Sequence, residues 1–167
     1  MRPNPTMPAG NRGFSLVEVM LVIAIMGILA GIALPNFTEW VASERVRGSA
    51  NDLYAGLMMA RSEAMKRNAQ VNIARPSGSD DDWSAGWAVK LANGDTVQTM
   101  DANSAVTITG PSTGTIGYTY TGRPTAASVD ASFMITATNY PTGTTRYVCL
   151  TLSGMPVVKR CACTANC

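Results

Sequence analysis

Histidine is absent from the 167 residues. That removes the commonest general base and the commonest metal ligand, so conventional hydrolytic triads and His-based zinc sites are excluded. Charge is sparse too, at 14% of residues against 46% hydrophobic ones. No acidic residue precedes Phe14, where Arg2 and Arg12 carry the only charges. Without those two arginines, eleven basic residues face eleven acidic ones. Bulk electrostatics therefore supply no attraction to nucleic acid, and any such binding needs a local patch. Cysteine is missing until Cys149, after which Cys149, Cys161, Cys163 and Cys167 crowd the chain end. The length suits one domain with an appended segment.

What is present is concentrated hydropathy. From Phe14 to Leu34 only Glu18 is ionisable, and a helix of that length covers about 30 Å, the thickness of a bilayer core. Arg2 and Arg12 precede the run, while Glu39, Glu44, Arg45 and Arg47 follow it in balance. The bias keeps the N-terminus cytoplasmic and sends the rest outside. The run exceeds the 7 to 15 residues of a secretory signal core. Gly27 and Gly31 form a G-x-x-x-G pattern that allows close helix approach in lipid. Pro35 lacks an amide donor and predicts loosening over residues 31–35. An isolated carboxylate in a membrane helix costs about 2.5 to 3.5 kcal/mol at the centre, so Glu18 needs a partner, a function or headgroup water.

The block Gly13-Phe-Ser-Leu-Val-Glu18 resembles the type III signal of type IV pilins and type II secretion pseudopilins. The resemblance implies that a prepilin peptidase cuts between Gly13 and Phe14 and methylates the new amino group of Phe14. Glu18 then becomes the fifth mature residue, the place of that family's glutamate, and Pro35 the twenty-second, where pilins carry a helix-loosening proline. The implied role of Glu18 is to meet the N-terminal amine of a neighbouring subunit during assembly.

After Pro35, Val46, Ala50, Leu53, Leu57, Ala60 and Ala64 recur at steps of four and three. That is one face of an amphipathic helix, which needs a partner surface. The phrase ANDLYAGLMMARSEAMKRNAQVNI, followed by GWAVKLANGD, resembles the GspH/FimT branch of minor pilins and pseudopilins. From residue 69 the composition turns to Thr, Ser, Gly, Val and Tyr. Strands are predicted at Gln70–Ala74, Gly86–Leu91, Thr96–Met100, Ala105–Thr109, Thr115–Tyr120, Ser132–Ala137, Arg146–Leu152 and Pro156–Lys159. The expected fold is α+β, a long N-terminal helix packed on an antiparallel sheet or sandwich. Its divisions are a leader over 1–13, a transmembrane helix over 14–35, an amphipathic helix over 36–68 and a β-rich head over 69–167.

Ser79-Asp-Asp-Asp-Trp83 offers oxygen ligands without the alternating spacing of a calcium loop, so a solvated loop is expected and no metal. Trp83 and Trp87 suit core or loop-anchoring positions, and Trp40 the membrane boundary. The cysteines lack paired C-x-x-C knuckles, and export favours disulfides. Joining Cys161 to Cys163 closes a strained ring, so Cys149 is expected to take Cys161 or Cys163, with Cys167 taking the other. Some FimT-like pilins bind DNA through a Gly-Arg-x-Arg motif. Here Gly154 is followed by Met155-Pro-Val-Val, so the motif is not met, although Lys159 and Arg160 lie nearby and Arg123 and Arg146 are candidates to join them.

The resemblance therefore implies a minor pilin, not an enzyme and without a cofactor, that primes assembly near the tip of a type IV pilus. Its partners are other pilins and minor pilins through the N-terminal helix, the prepilin peptidase, and the inner membrane before assembly. After assembly it lies in an extracellular pilus or periplasmic filament. DNA uptake and a type II secretion pseudopilus are the alternatives.

Overall fold

The computed structural model describes residues 13–76, 81–139 and 144–164, excepting the side chains of 33–36. One helix, α1, runs Leu16–Arg67. Ser15 caps its start, since the Glu18 amide meets Ser15 Oγ at 3.2 Å and the Ser15 carbonyl at 3.1 Å. The side chain thereby satisfies an amide that the first helical turn leaves without an intrahelical acceptor. The helix stops at Asn68, which adopts φ +50°. Its amide reaches the Met65 carbonyl at 3.4 Å and the Ala69 amide the Ala64 carbonyl at 3.2 Å. This pair of bonds is a Schellman cap, with Asn where glycine is usual.

The chain forms two compact units, Met1–Thr38 and Glu39–Cys167. In the first, the side chains from Gly13 to Ile32 are exposed. No single helix among the described residues is long and apolar enough to cross a membrane; Leu16–Ile32 and Phe37–Arg67 meet that requirement only as a pair. Ala33 and Leu34, which complete the apolar run in the sequence, fall among the residues whose side chains are not described. Residues 33–36, which include Pro35, intervene.

In the second unit, eight strands make two antiparallel sheets. They are β1 Val71–Ala74, β2 Gly86–Leu91, β3 Thr96–Asp101, β4 Val106–Thr109, β5 Thr115–Tyr118, β6 Ser132–Ala137, β7 Arg146–Leu150 and β8 Pro156–Lys159. One sheet has the order β3-β2-β1-β5 and the other β4-β6-β7-β8. A short 3-10 turn, Ala126–Ser128, lies between β5 and β6. The predicted helical face is buried throughout, with Val46, Ala50, Leu53, Leu57, Ala60 and Ala64 all at 0% exposure. It shares one apolar core with Ile73, Val89, Ile116, Phe133, Ile135 and Val148 from both sheets. Burying side chains of this size stabilises by about 1.5 to 3 kcal/mol each.

Two tryptophans sit inside that core. Trp83 is fully buried, packs edge-on against Phe133 at 5.0 Å, and donates its indole N–H to the Pro111 carbonyl at 3.2 Å. Trp87 on β2 lies against the helix at Gly56, where an added Cβ would fall 2.1 Å from its ring. Only a residue without a side chain allows so close an approach.

The predicted strands ending at Tyr120 and Leu152 are each two residues too long, for one reason. Thr119 and Thr151 open two turns of the same design. In one, Thr119 Oγ1 and N–H both donate to the Arg123 carbonyl, and the Gly122 amide donates back to the Thr119 carbonyl. In the other, Thr151 Oγ1 and N–H donate to the Met155 carbonyl, and the Gly154 amide donates to the Thr151 carbonyl. Gly122 and Gly154 have φ of +74° and +81°, so each turn needs glycine at its fourth position.

Candidate functional site

Three regions contain the sequence-predicted residues. The first is the helix start. Gly13, Phe14 and Ser15 precede α1 without regular structure, and Phe14 is 82% exposed, so the peptide bond between Gly13 and Phe14 lies outside the helix. Glu18 occupies the first turn with its side chain exposed. Ser15 and Glu18 stand three apart, the spacing of a capping box. Sequence reasoning treated Ser15 only as part of a phrase, although Ser followed three residues later by Glu before an apolar run is a recognisable start signal. A Cβ added at Gly27 or Gly31 would meet nothing within 4 Å among the described residues, so their helix face is open there. Pro35 lies within α1 by its backbone, and its side chain falls outside the described residues.

The second region is the chain end. Cys149 on β7 is bonded to Cys163, with Cα atoms 5.5 Å apart, and Cys161 is also in a disulfide. Cys167 lies outside the described residues. Cys149 faces away from the core, because Val148 and Leu150 beside it point inward at 0% and 3% exposure. Its bond therefore holds the tail against the outer face of the second sheet.

The third region is basic. Arg47 and Asn51 of α1, Arg146 at the start of β7, and Val158, Lys159 and Arg160 at the end of β8 line an open groove of about 320 Å³. Among the described residues no carboxylate lines it; Glu44, on the same helix as Arg47, approaches that guanidinium at 3.9 Å. The fold thus joins Arg146, Lys159 and Arg160 and adds Arg47, which the sequence offered only as one charge after the apolar run. Arg123 is not in the groove lining. It follows Gly122, beside the Gly154 turn. Of the acidic loop, Asp82 accepts a 2.8 Å bond from the Ser84 amide. Hydrogen bonds from Ser84 hold its carboxyl below the ordinary range. Ser79 and Asp80 lie outside the described residues.

The arginine and glutamate of the Ala60-Arg-Ser-Glu63 phrase have structural tasks. Arg61 Nε donates to the Gly122 carbonyl at 2.9 Å and its Nη1 contacts Met155 Sδ, so one guanidinium ties α1 to both glycine turns. Glu63 accepts from Arg67 Nε at 2.6 Å and lies 3.5 Å from Lys66 Nζ. The Arg67 hydrogen bond, against some desolvation, keeps its carboxyl below its ordinary value of 4.5. Tyr118 is fully buried with no hydrogen-bond partner for its hydroxyl among the described residues, and burial pushes its pKa up.

Two family models match. The one described as type II transport protein GspH covers residues 49–155, and the prokaryotic N-terminal methylation motif covers residues 8–34. The type IV major pilin protein PilA of Myxococcus xanthus is 37% identical over 68 residues, which are 41% of this chain and 31% of that one. A fimbrial protein of Pseudomonas aeruginosa is 33% identical over 72 residues, 43% of this chain and 47% of its own length. The chain thus spans 31% to 47% of the length of these curated relatives. Among solved structures, the type IV minor pilin FimU of Pseudomonas aeruginosa superposes with a TM-score of 0.60 at 23% identity, covering 74% of this chain and 92% of that one. The minor pseudopilin EpsH of Vibrio cholerae gives 0.51 at 10% identity, covering 72% and 98%. At such identities these two likenesses concern the fold.

Proposed function

Because the chain belongs to the family of the type II transport protein GspH, we propose that it works as a minor pilin, a structural subunit that joins a type IV pilus and primes its assembly. The observation that carries this is a methylation motif over residues 8–34 on the same chain as a GspH-type head over 49–155. A filament subunit needs both, one part to hold it in the bilayer and then in the filament core, the other to set its neighbours.

The proposed sequence of events follows from the helix start. The chain inserts with Arg2 and Arg12 on the cytoplasmic side, Gly13–Phe14 is cleaved by the prepilin peptidase, and the freed amine of Phe14 is methylated. Cleavage places a cation four residues before Glu18, near where the apolar segment begins. The carboxylate of an entering subunit then faces the amine of one already present, and two charges that are costly in lipid neutralise one another. The open face of Gly27 and Gly31 permits close packing of neighbouring helices.

Mass spectrometry of the protein from cells with an active prepilin peptidase tests the reading. The expected product starts at a methylated Phe14; an intact Met1 terminus overturns the processing. Whether the filament is a pilus or a secretion pseudopilus is decided by deleting the gene and scoring surface pili against protein secretion, with loss of pili expected.

A further inference from the structure

We infer that the basic groove between α1 and β8 is a docking site for a short, extended, acidic segment of a neighbouring filament subunit. The inference rests on the filament reading above and adds a partner surface on the head. Arg47, Arg146, Lys159 and Arg160 arrive from places up to 113 residues apart in sequence, yet line one groove with no carboxylate among the lining residues. Like charges gathered this way repel, and the repulsion is relieved by an anion. Because the chain after Phe14 carries balanced charge overall, this is a local concentration and not the excess of a basic protein.

The form of the anion follows from the groove's walls. β8 pairs only with β7 and ends the order β4-β6-β7-β8, so its other side is a free sheet edge among the described residues. Such an edge presents backbone donors and acceptors that a further strand satisfies. Val158, 37% exposed, supplies apolar contact within the ring of cations. A polypeptide uses all three features: its backbone takes the edge, its carboxylates take Arg47, Arg146 and Arg160, and its alternate side chains cover Val158. A phosphodiester chain uses only the charges. The length of β8, four residues, sets the length of segment that pairs with it. Pro156 withholds an amide at one end and Lys159 adds charge at the other, devices that discourage indiscriminate pairing and leave acidic strands favoured.

The test uses the full chain in cells that assemble the filament. A photo-reactive p-benzoylphenylalanine replaces Val158 in one strain and Ile25 in a second, and cross-linked peptides are mapped by mass spectrometry. The Ile25 strain reports filament incorporation through the apolar helix. The expected result is an Ile25 cross-link to another filament subunit, together with a Val158 cross-link to a segment of a filament subunit holding two or more acidic residues. Adding Arg146→Glu and Arg160→Glu lowers the Val158 yield by about tenfold or more while the Ile25 cross-link persists. With the Ile25 cross-link present, a Val158 cross-link to nucleic acid, lipid or a non-acidic segment overturns the docking site. So does the absence of a Val158 product, or a yield unmoved by charge reversal. Absence of the Ile25 cross-link removes the filament premise and the docking site with it.

Discussion

At the scale of single residues, Glu18 and Gly56 show how differently a proposed function and an observed packing contact are written in a sequence. Glu18 stands out because its neighbours are apolar, and its exposed side chain has no ion pair among the described residues. Glu18→Gln is expected to insert and be processed normally but to enter filaments at no more than about a tenth of the wild-type level, measured by quantitative blotting of sheared filaments against membranes. Equal incorporation would remove the charge-pairing role. Gly56 gives no such signal, since glycine beside a helical stripe of alanines and leucines looks merely small. Its purpose appears only when β2 brings Trp87 against it from 31 positions away. Gly56→Val is expected to lower stability by about 1 to 3 kcal/mol through overpacking, seen as a reduced denaturant midpoint. An unchanged midpoint would mean that Trp87 finds another place at no cost.

At the scale of elements, the helix stripe and all eight strands were legible, because periods of 3.6 and 2 depend on local sequence alone. The errors cluster at strand ends. The Thr119 and Thr151 turns begin with β-branched residues that a propensity argument assigns to the strand, while their own hydrogen bonds already close the turn. The division of the strands between two sheets was not legible either, since register and partner choice arise from non-local pairing. The Cys149–Cys163 bond closes a span of 14 residues, worth about 3 kcal/mol by loop-closure entropy. Reduction is accordingly expected to lower the thermal midpoint and expose the tail after Lys159 to protease; unchanged cleavage on reduction would deny the tail's attachment. The end of α1 carries a pH dependence of defined sign. Glu63 has its carboxyl pKa lowered in the folded state, chiefly by Arg67. Its contribution is therefore present above the ordinary value of 4.5 and is lost as pH falls through the folded value. Glu63→Gln should be less stable than wild type at pH 7, with the difference vanishing towards pH 3 in parallel denaturation curves. A constant difference across that range would assign the effect to packing.

At the scale of the whole molecule, the boundary after Thr38 predicts that a fragment starting at Glu39 folds by itself, since the core lies within Glu39–Cys167. Near-ultraviolet circular dichroism of that fragment should retain the signal of the packed Trp83 and Trp87; a flat spectrum would show that the head depends on the preceding helix. The basic groove was the least legible feature at this scale. Arg146, Lys159 and Arg160 were visible as charges, but Arg47 lies about a hundred positions earlier and only the folded chain brings it alongside. The exposed apolar side chains from Phe14 to Ile32 have a thermodynamic consequence of their own. On the filament reading proposed above, they are shielded from water in the bilayer and shielded again among neighbouring helices, so passage from one to the other changes their hydration little. Assembly is then a transfer between two oils, nearly neutral in hydrophobic free energy and reversible for that reason. Its direction is decided by the few polar groups that distinguish the two phases.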